Sequence, residues 1–123
     1  MSGRRSWFDT FKVAFLGIGY AFRHERNMKV HGAASVAVIA AAAYFRVSAV
    51  EWLFLLLAIA LVMTAEMINT AIERAVDLQV HEPHPLAKAA KDVAAGAVLL
   101  TVLFAVIAAG VIFTKPVISL LGG

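Results

Sequence analysis

Glu66, Asn69, Glu73 and Asp77 recur at spacings i, i+3, i+7 and i+11. On a helix these four fall within about 80° of arc, so they share one face. Glu66 stands inside a long apolar run, where an ionised carboxylate costs about 2.5–3.5 kcal/mol on insertion scales. A residue kept at that cost points to function, the competing reading being a hydrogen bond that joins helices. Glu73 and Asp77, nearer the end of the run, read individually as solvated charges. Further on, Lys88, Lys91 and Asp92 set cations beside an acid at the start of another apolar run. A Lys there can neutralise phosphate oxygens, and an adjacent acid can orient it or hydrogen-bond a nucleotide. Spacing alone also allows an interfacial anchor. Glu25, flanked by Arg23, Arg26 and Lys29, is a third acidic candidate, and by itself it reads as a surface salt bridge. Jointly these residues supply what a Mg²⁺-phosphate site needs: carboxylates for a hard, oxygen-preferring cation and cations for developing negative charge. No Walker A loop accompanies them, and Gly17-Ile18-Gly19 is a lone GxG in a helical pattern. His81, Glu82 and His84 could suggest zinc, but HxxH in a loop without a third ligand does not make a zinc site.

The elements that must position these groups are membrane helices. The chain has 123 residues, room for one domain over 1–123, and 62% of them are hydrophobic. Its mean hydropathy is +0.84. Three apolar segments follow one another: Val30–Phe45 with 16 residues, Trp52–Ile72 with 21 and Val93–Thr114 with 22. The first reaches spanning length only if it extends back through Met28 with Lys29 snorkelling. The second holds Glu66 as its single ionisable group, and the third ends at Lys115 and Pro116. The predicted fold is therefore all-α, with three transmembrane helices. Pro83 and Pro85 place a loop between Leu78 and Lys88. Ahead of the spans, Trp7, Phe11, Phe15, Ile18 and Phe22 form one stripe, opposite Arg5, Asp9, Lys12 and Arg23. This predicts an amphipathic interfacial helix, or else a helix packed on the rest of the protein. The stretch is too interrupted by charge for a cleavable signal peptide.

Basic residues set the orientation. Arg4, Arg5, Lys12, Arg23, Arg26 and Lys29 precede the first span, and Arg74, Lys88 and Lys91 lie between the second and third. Only Arg46 and Lys115 remain for the other side, so the N-terminus and the 78–91 loop are expected in the cytoplasm and the C-terminus outside. Charge gathered this way does not make a nucleic-acid face. With no Cys, neither a disulfide framework nor a thiolate metal site is available. Trp52 and Tyr44 read as aromatic-belt anchors.

The stretches ERNMKVH (Glu25 to His31), AEMINTAIERAVDL (Ala65 to Leu78) and HPLAKAAKDVAAGAVLL (His84 to Leu100) resemble the prokaryotic diacylglycerol kinase family. Their order and spacing cover essentially the whole chain. The ERN…H form and the HPLAKxAKDVAAGAVLL wording look more like the Gram-positive branch, the undecaprenol kinases, than the Gram-negative diacylglycerol kinases. The resemblance implies a lipid kinase of the bacterial cell membrane that uses ATP and Mg²⁺, assembled as a homotrimer with sites shared between subunits. It places Glu66 as the general base, and Glu25 and Glu73 at the positions that hold Mg²⁺. Asn69 and Asp77 orient the base and the nucleotide site, and Lys91 and Asp92 match an ATP-contacting pair. Glu82 and His84 correspond to a loop around the nucleotide, which is more Pro-rich here than in the Gram-negative type. The acceptor implied is undecaprenol, with diacylglycerol the alternative. From a different class, a small oligomeric transporter could also keep a Glu in a helix, but it predicts polar residues toward the midplane of several helices. Here the first and third spans are essentially apolar and the acids cluster at one interface.

Overall fold

The computed structural model describes residues 6–122. Arg4 and Arg5, counted above for orientation and for the polar side of the first helix, lie outside the described residues. Four helices account for nearly all of the rest: α1 (Trp7–His24), α2 (Arg26–Tyr44), α3 (Ala49–Gln79) and α4 (Pro85–Leu120). No strand occurs among the described residues.

Local chemistry sets each boundary. Ser6 caps α1 by accepting from the Asp9 amide at 3.1 Å, while Arg23 and His24 occupy the last turn, where positive charge suits the helix dipole. Glu25 alone separates α1 from α2, its backbone extended at φ −114° and ψ 117°. Close approach at this corner depends on Gly32: a Cβ there would lie 2.8 Å from Phe22 Cε1. The hairpin between α2 and α3 turns through Arg46, at φ 52°. Ser48 and Glu51 then start α3 with a reciprocal capping box, 3.2 Å and 3.0 Å.

The structure corrects the expected boundaries. Helix α3 has 31 residues and α4 has 36, both longer than the apolar runs that revealed them. Val80 to His84 is all that remains of the loop expected from Leu78 to Lys88. Pro85 takes the first position of α4, where its missing N–H has no partner to lose, so it begins the helix. Lys88, Lys91 and Asp92 are consequently helical. Pro116 lies inside α4, which continues to Leu120, although the third run was expected to end there.

Helices α3 and α4 form the main packing pair, with α2 laid against α3 and α1 touching α2 and α3 lightly. At the hairpin end, Ala42, Leu55 and Ile112 make a small core that Val38, Val47, Trp52 and Phe113 enclose. Elsewhere the apolar surface is turned outward: Leu100, Val106, Ile107 and Val111 on α4 are all exposed. Contiguous apolar surface of this kind marks contact with lipid or with other protein. Two helices, α3 and α4, are long and apolar enough to cross a membrane. Helix α2 has 19 residues and opens with Arg26, Asn27, Lys29 and His31, which makes it shorter and more polar than either. On α1 the expected stripe is present but bare, with Trp7, Phe11 and Phe15 exposed and Phe22 half-buried. Only its last member, Phe22, packs on the rest of the chain, against Gly32.

Candidate functional site

Along the polar face of α3, Glu66 is paired to α2, Asn69 to Glu73 and Asp77 to α4. Glu66 is 2% exposed, the most completely buried charged residue among those described. Its Oε1 accepts a hydrogen bond from Asn27 Nδ2 at 3.3 Å. Its Oε2 has no hydrogen-bond partner, although His31 Nε2 stands 3.4 Å away. Both partners come from α2, four residues apart and hence on one side of that helix. Thr70 Oγ1 donates to the Glu66 carbonyl at 3.0 Å, bonding back along α3.

One turn on, buried Asn69 donates from Nδ2 to Glu73 Oε1 at 3.2 Å, leaving its own Oδ1 buried without a partner. Asn69 also lines an apolar groove with Ile68, Ile72, Leu86 and Val93, between α3 and α4. Asp77 Oδ1 accepts from Lys91 Nζ at 2.6 Å across the helix pair. Asp92 pairs with Lys88 at 2.5 Å, one turn back on its own helix. The sequence leaves Asp92 either to orient Lys91 or to hydrogen-bond a nucleotide; in the structure the acid bonded to Lys91 is Asp77. Adjacent residues on a helix point about 100° apart, whereas i and i+4 share a face.

Glu25 holds the junction of α1 and α2, and its Oε1 accepts from Arg74 Nη2. Arg74 Nε in turn donates to the Tyr20 hydroxyl at 3.2 Å, and Tyr20 stacks on His24 with ring centroids 4.2 Å apart. This Arg74–Tyr20 anchor was not visible in the sequence, where Arg74 counted only toward orientation. Its sole sequence signal is position: Arg74 follows Glu73 near the C-terminal end of α3.

Glu82 and His84 meet Lys91 and Asp92 around a shared groove of about 670 Å³, also lined by His81 and Lys88. His84 caps α4, its Nδ1 accepting from the Leu86 amide at 3.0 Å. No three His, Asp or Glu side chains converge on a common point among the described residues. Glu25 and Glu73 are nevertheless oxygen donors of the type Mg²⁺ accepts, and that ion commonly takes only one or two carboxylates, with substrate phosphates and water completing the shell. Each has a hydrogen bond at Oε1 only, from Arg74 and from Asn69, so these carboxylates suit an ion whose shell other ligands complete and not an all-protein cage.

Along α3 the order is Glu66, Asn69–Glu73, then Asp77, with the loop groove beyond. At about 1.5 Å per residue, Glu66 and Asp77 are about 16 Å apart along the axis. The model of the family described as prokaryotic diacylglycerol kinase matches residues 12–113, which includes every one of these groups. The chain belongs to the prokaryotic diacylglycerol kinase family. Relatives in this family are named as lipid kinases. A diacylglycerol kinase of Synechocystis is 45% identical over 113 residues, 91% of this chain and 65% of that protein. An undecaprenol kinase of Bacillus subtilis is 46% identical over 101 residues, 82% of this chain and 80% of that protein. A diacylglycerol kinase of Escherichia coli is 34% identical over 91 residues, 74% of this chain and 75% of that protein. This chain thus spans just under two thirds of the Synechocystis relative's length. The two identities are nearly equal, to proteins named for different lipid acceptors.

Proposed function

We propose that this chain transfers the γ-phosphate of ATP directly to the hydroxyl of a membrane lipid alcohol, undecaprenol, at the cytoplasmic face. The observation that carries the proposal is Glu66: a carboxylate 2% exposed in a helix able to span a membrane, with Oε2 unpartnered. Glu66 takes the proton from the lipid hydroxyl as that oxygen bonds to the γ-phosphorus, the bond to the β–γ bridging oxygen breaks, and ADP departs. Asn69 fixes the Glu73 carboxylate. Glu73 and Glu25 would hold Mg²⁺, which when bound supplies positive charge to the transferring phosphoryl group. Lys91, oriented by Asp77, and the groove containing Asp92, Glu82 and His84 receive the nucleotide. The order of these groups along α3 supports the assignment, because it runs from the acceptor end through the metal carboxylates to the nucleotide end.

In this reading the chain is one membrane domain with three spans, α2 joining α3 and α4. Helix α1 lies on the cytoplasmic leaflet with Trp7, Phe11 and Phe15 among the headgroups. The N-terminus and the turn at residues 80–84 are cytoplasmic, the C-terminus is outside, and the working form is a homotrimer that completes each site with a neighbouring subunit.

The test offers purified protein undecaprenol and diacylglycerol side by side in bilayers, with Mg²⁺ and labelled ATP. Label in undecaprenyl phosphate is expected. Label in phosphatidic acid instead would move the acceptor to diacylglycerol, and label in neither would overturn the kinase reading.

A further inference from the structure

The groups already assigned leave α2 without a role, yet α2 supplies both polar neighbours of the Glu66 carboxylate. Asn27 Nδ2 occupies Oε1 at 3.3 Å. His31 Nε2 stands 3.4 Å from Oε2 without hydrogen bonding to it. The His31 side chain is 23% exposed, and it reaches an apolar groove of about 230 Å³ that Ala34, Val38, Ala58, Val62 and Ala105 also line. Buried Glu66 is thus connected through His31 to a space bounded by α2, α3 and α4.

A buried Glu has three rotatable side-chain bonds that bear on the aim of its carboxylate, and a base misplaced by about 1 Å can lose about a hundredfold in rate. Nothing on α3 bonds to either Glu66 carboxylate oxygen among the described contacts, so the aim has to come from α2. We propose that Asn27 and His31 are positioning residues that clamp Glu66 from α2, reserving Oε2 for the acceptor hydroxyl. Asn27 holds Oε1 with an amide hydrogen. That bond turns Oε2 toward His31, whose ring closes the carboxylate off on the groove side. With Asn27 absent, the carboxylate can rotate and present either oxygen, and the hydroxyl no longer meets a fixed acceptor. The assignment rests on Glu66 being the base of the proposed phosphoryl transfer.

The experiment measures lipid phosphorylation by the full chain in bilayers for wild type, Asn27→Ala, His31→Ala, His31→Gln, Glu66→Gln and the double variant Asn27→Ala/Glu66→Gln. Asn27→Ala is expected to lower kcat by about tenfold to a hundredfold, with the KM for ATP unchanged, since the nucleotide groove lies at the other end of the α3 face. His31→Gln, which keeps a side chain of similar reach beside Oε2, is expected to recover most of what His31→Ala loses. The double variant is expected to be no slower than Glu66→Gln alone, because a residue acting through Glu66 has nothing left to position. A purely structural role would instead multiply the two losses and disturb the KM for ATP. Additive losses, or Asn27→Ala and His31→Ala at the wild-type rate, would overturn the proposal. If wild type itself phosphorylates no lipid, the failure belongs to the kinase reading; if wild type is active and Glu66→Gln is equally active, it belongs to the base assignment.

Discussion

Glu66 was legible in the sequence because a carboxylate in a spanning run has a known energetic cost, and the structure leaves it 2% exposed. Its neighbours were not legible in the same way. Asn27 and His31 lie on another helix, 39 and 35 positions away, and no periodicity within α3 encodes which residues of α2 will face it. For Lys91 the level was legible, since it begins its span at the depth of Glu73 and Asp77; which acid it bonds was not, because Asp77 lies 14 positions away across a loop shorter than the prolines suggest. At this scale the proposed nucleotide end can be probed separately from the proposed acceptor end. Lys91→Ala removes a charge-assisted contact of about 1.5–3 kcal/mol, so the KM for ATP should rise by about tenfold to a hundredfold while that for the lipid stays put. Steady-state kinetics with each substrate varied in turn reads the difference. An unchanged KM for ATP would remove Lys91 from the nucleotide site.

Among the elements, the least expected is the tight corner between α1 and α2, where Glu25 is the only residue between two helices and Phe22 lies against Gly32. The amphipathic stripe of α1 was readable from spacing, but the contact that docks its last turns was not, since a Gly in a helix carries no sign of which ring will cover it. Gly32→Leu would force the Phe22 ring aside. Overpacking of this sort costs about 1–3 kcal/mol, more than the roughly 1 kcal/mol gained by replacing a helical Gly. Thermal unfolding in detergent should therefore come earlier for Gly32→Leu, and adding Phe22→Ala should restore part of the loss. No change would mean that α1 docks some other way. Pro85 and Pro116 teach a complementary lesson: both were read as breakers, yet one starts α4 and the other lies within it. Proline at the first helical position has no bond to forfeit, and membrane helices accommodate internal prolines by re-pairing the freed groups.

For the molecule as a whole, the all-helical architecture and the two long apolar helices followed from composition and run length, whereas the crossing of α2 turns on four polar residues in its first six positions. Three spans and two spans make opposite statements about the termini. The chain has no native Cys, so Lys12→Cys and Lys115→Cys can each report alone. With three spans, a membrane-impermeant maleimide applied to intact cells labels position 115 and spares position 12; with α3 and α4 alone crossing, both positions lie on one side and react alike. The trimer, expected from the family resemblance, is checked by the mass of the purified protein in detergent, and an active monomer would contradict it. The central claim is that Glu66 is the base of a lipid kinase, and the most direct test sets wild type beside Glu66→Gln, following label from ATP into lipid and nucleotide binding in the same preparations. Glu66→Gln should bind nucleotide as wild type does and transfer label about 10²–10⁴-fold more slowly, the range typical for a lost general base. Transfer at the wild-type rate by Glu66→Gln would contradict the account.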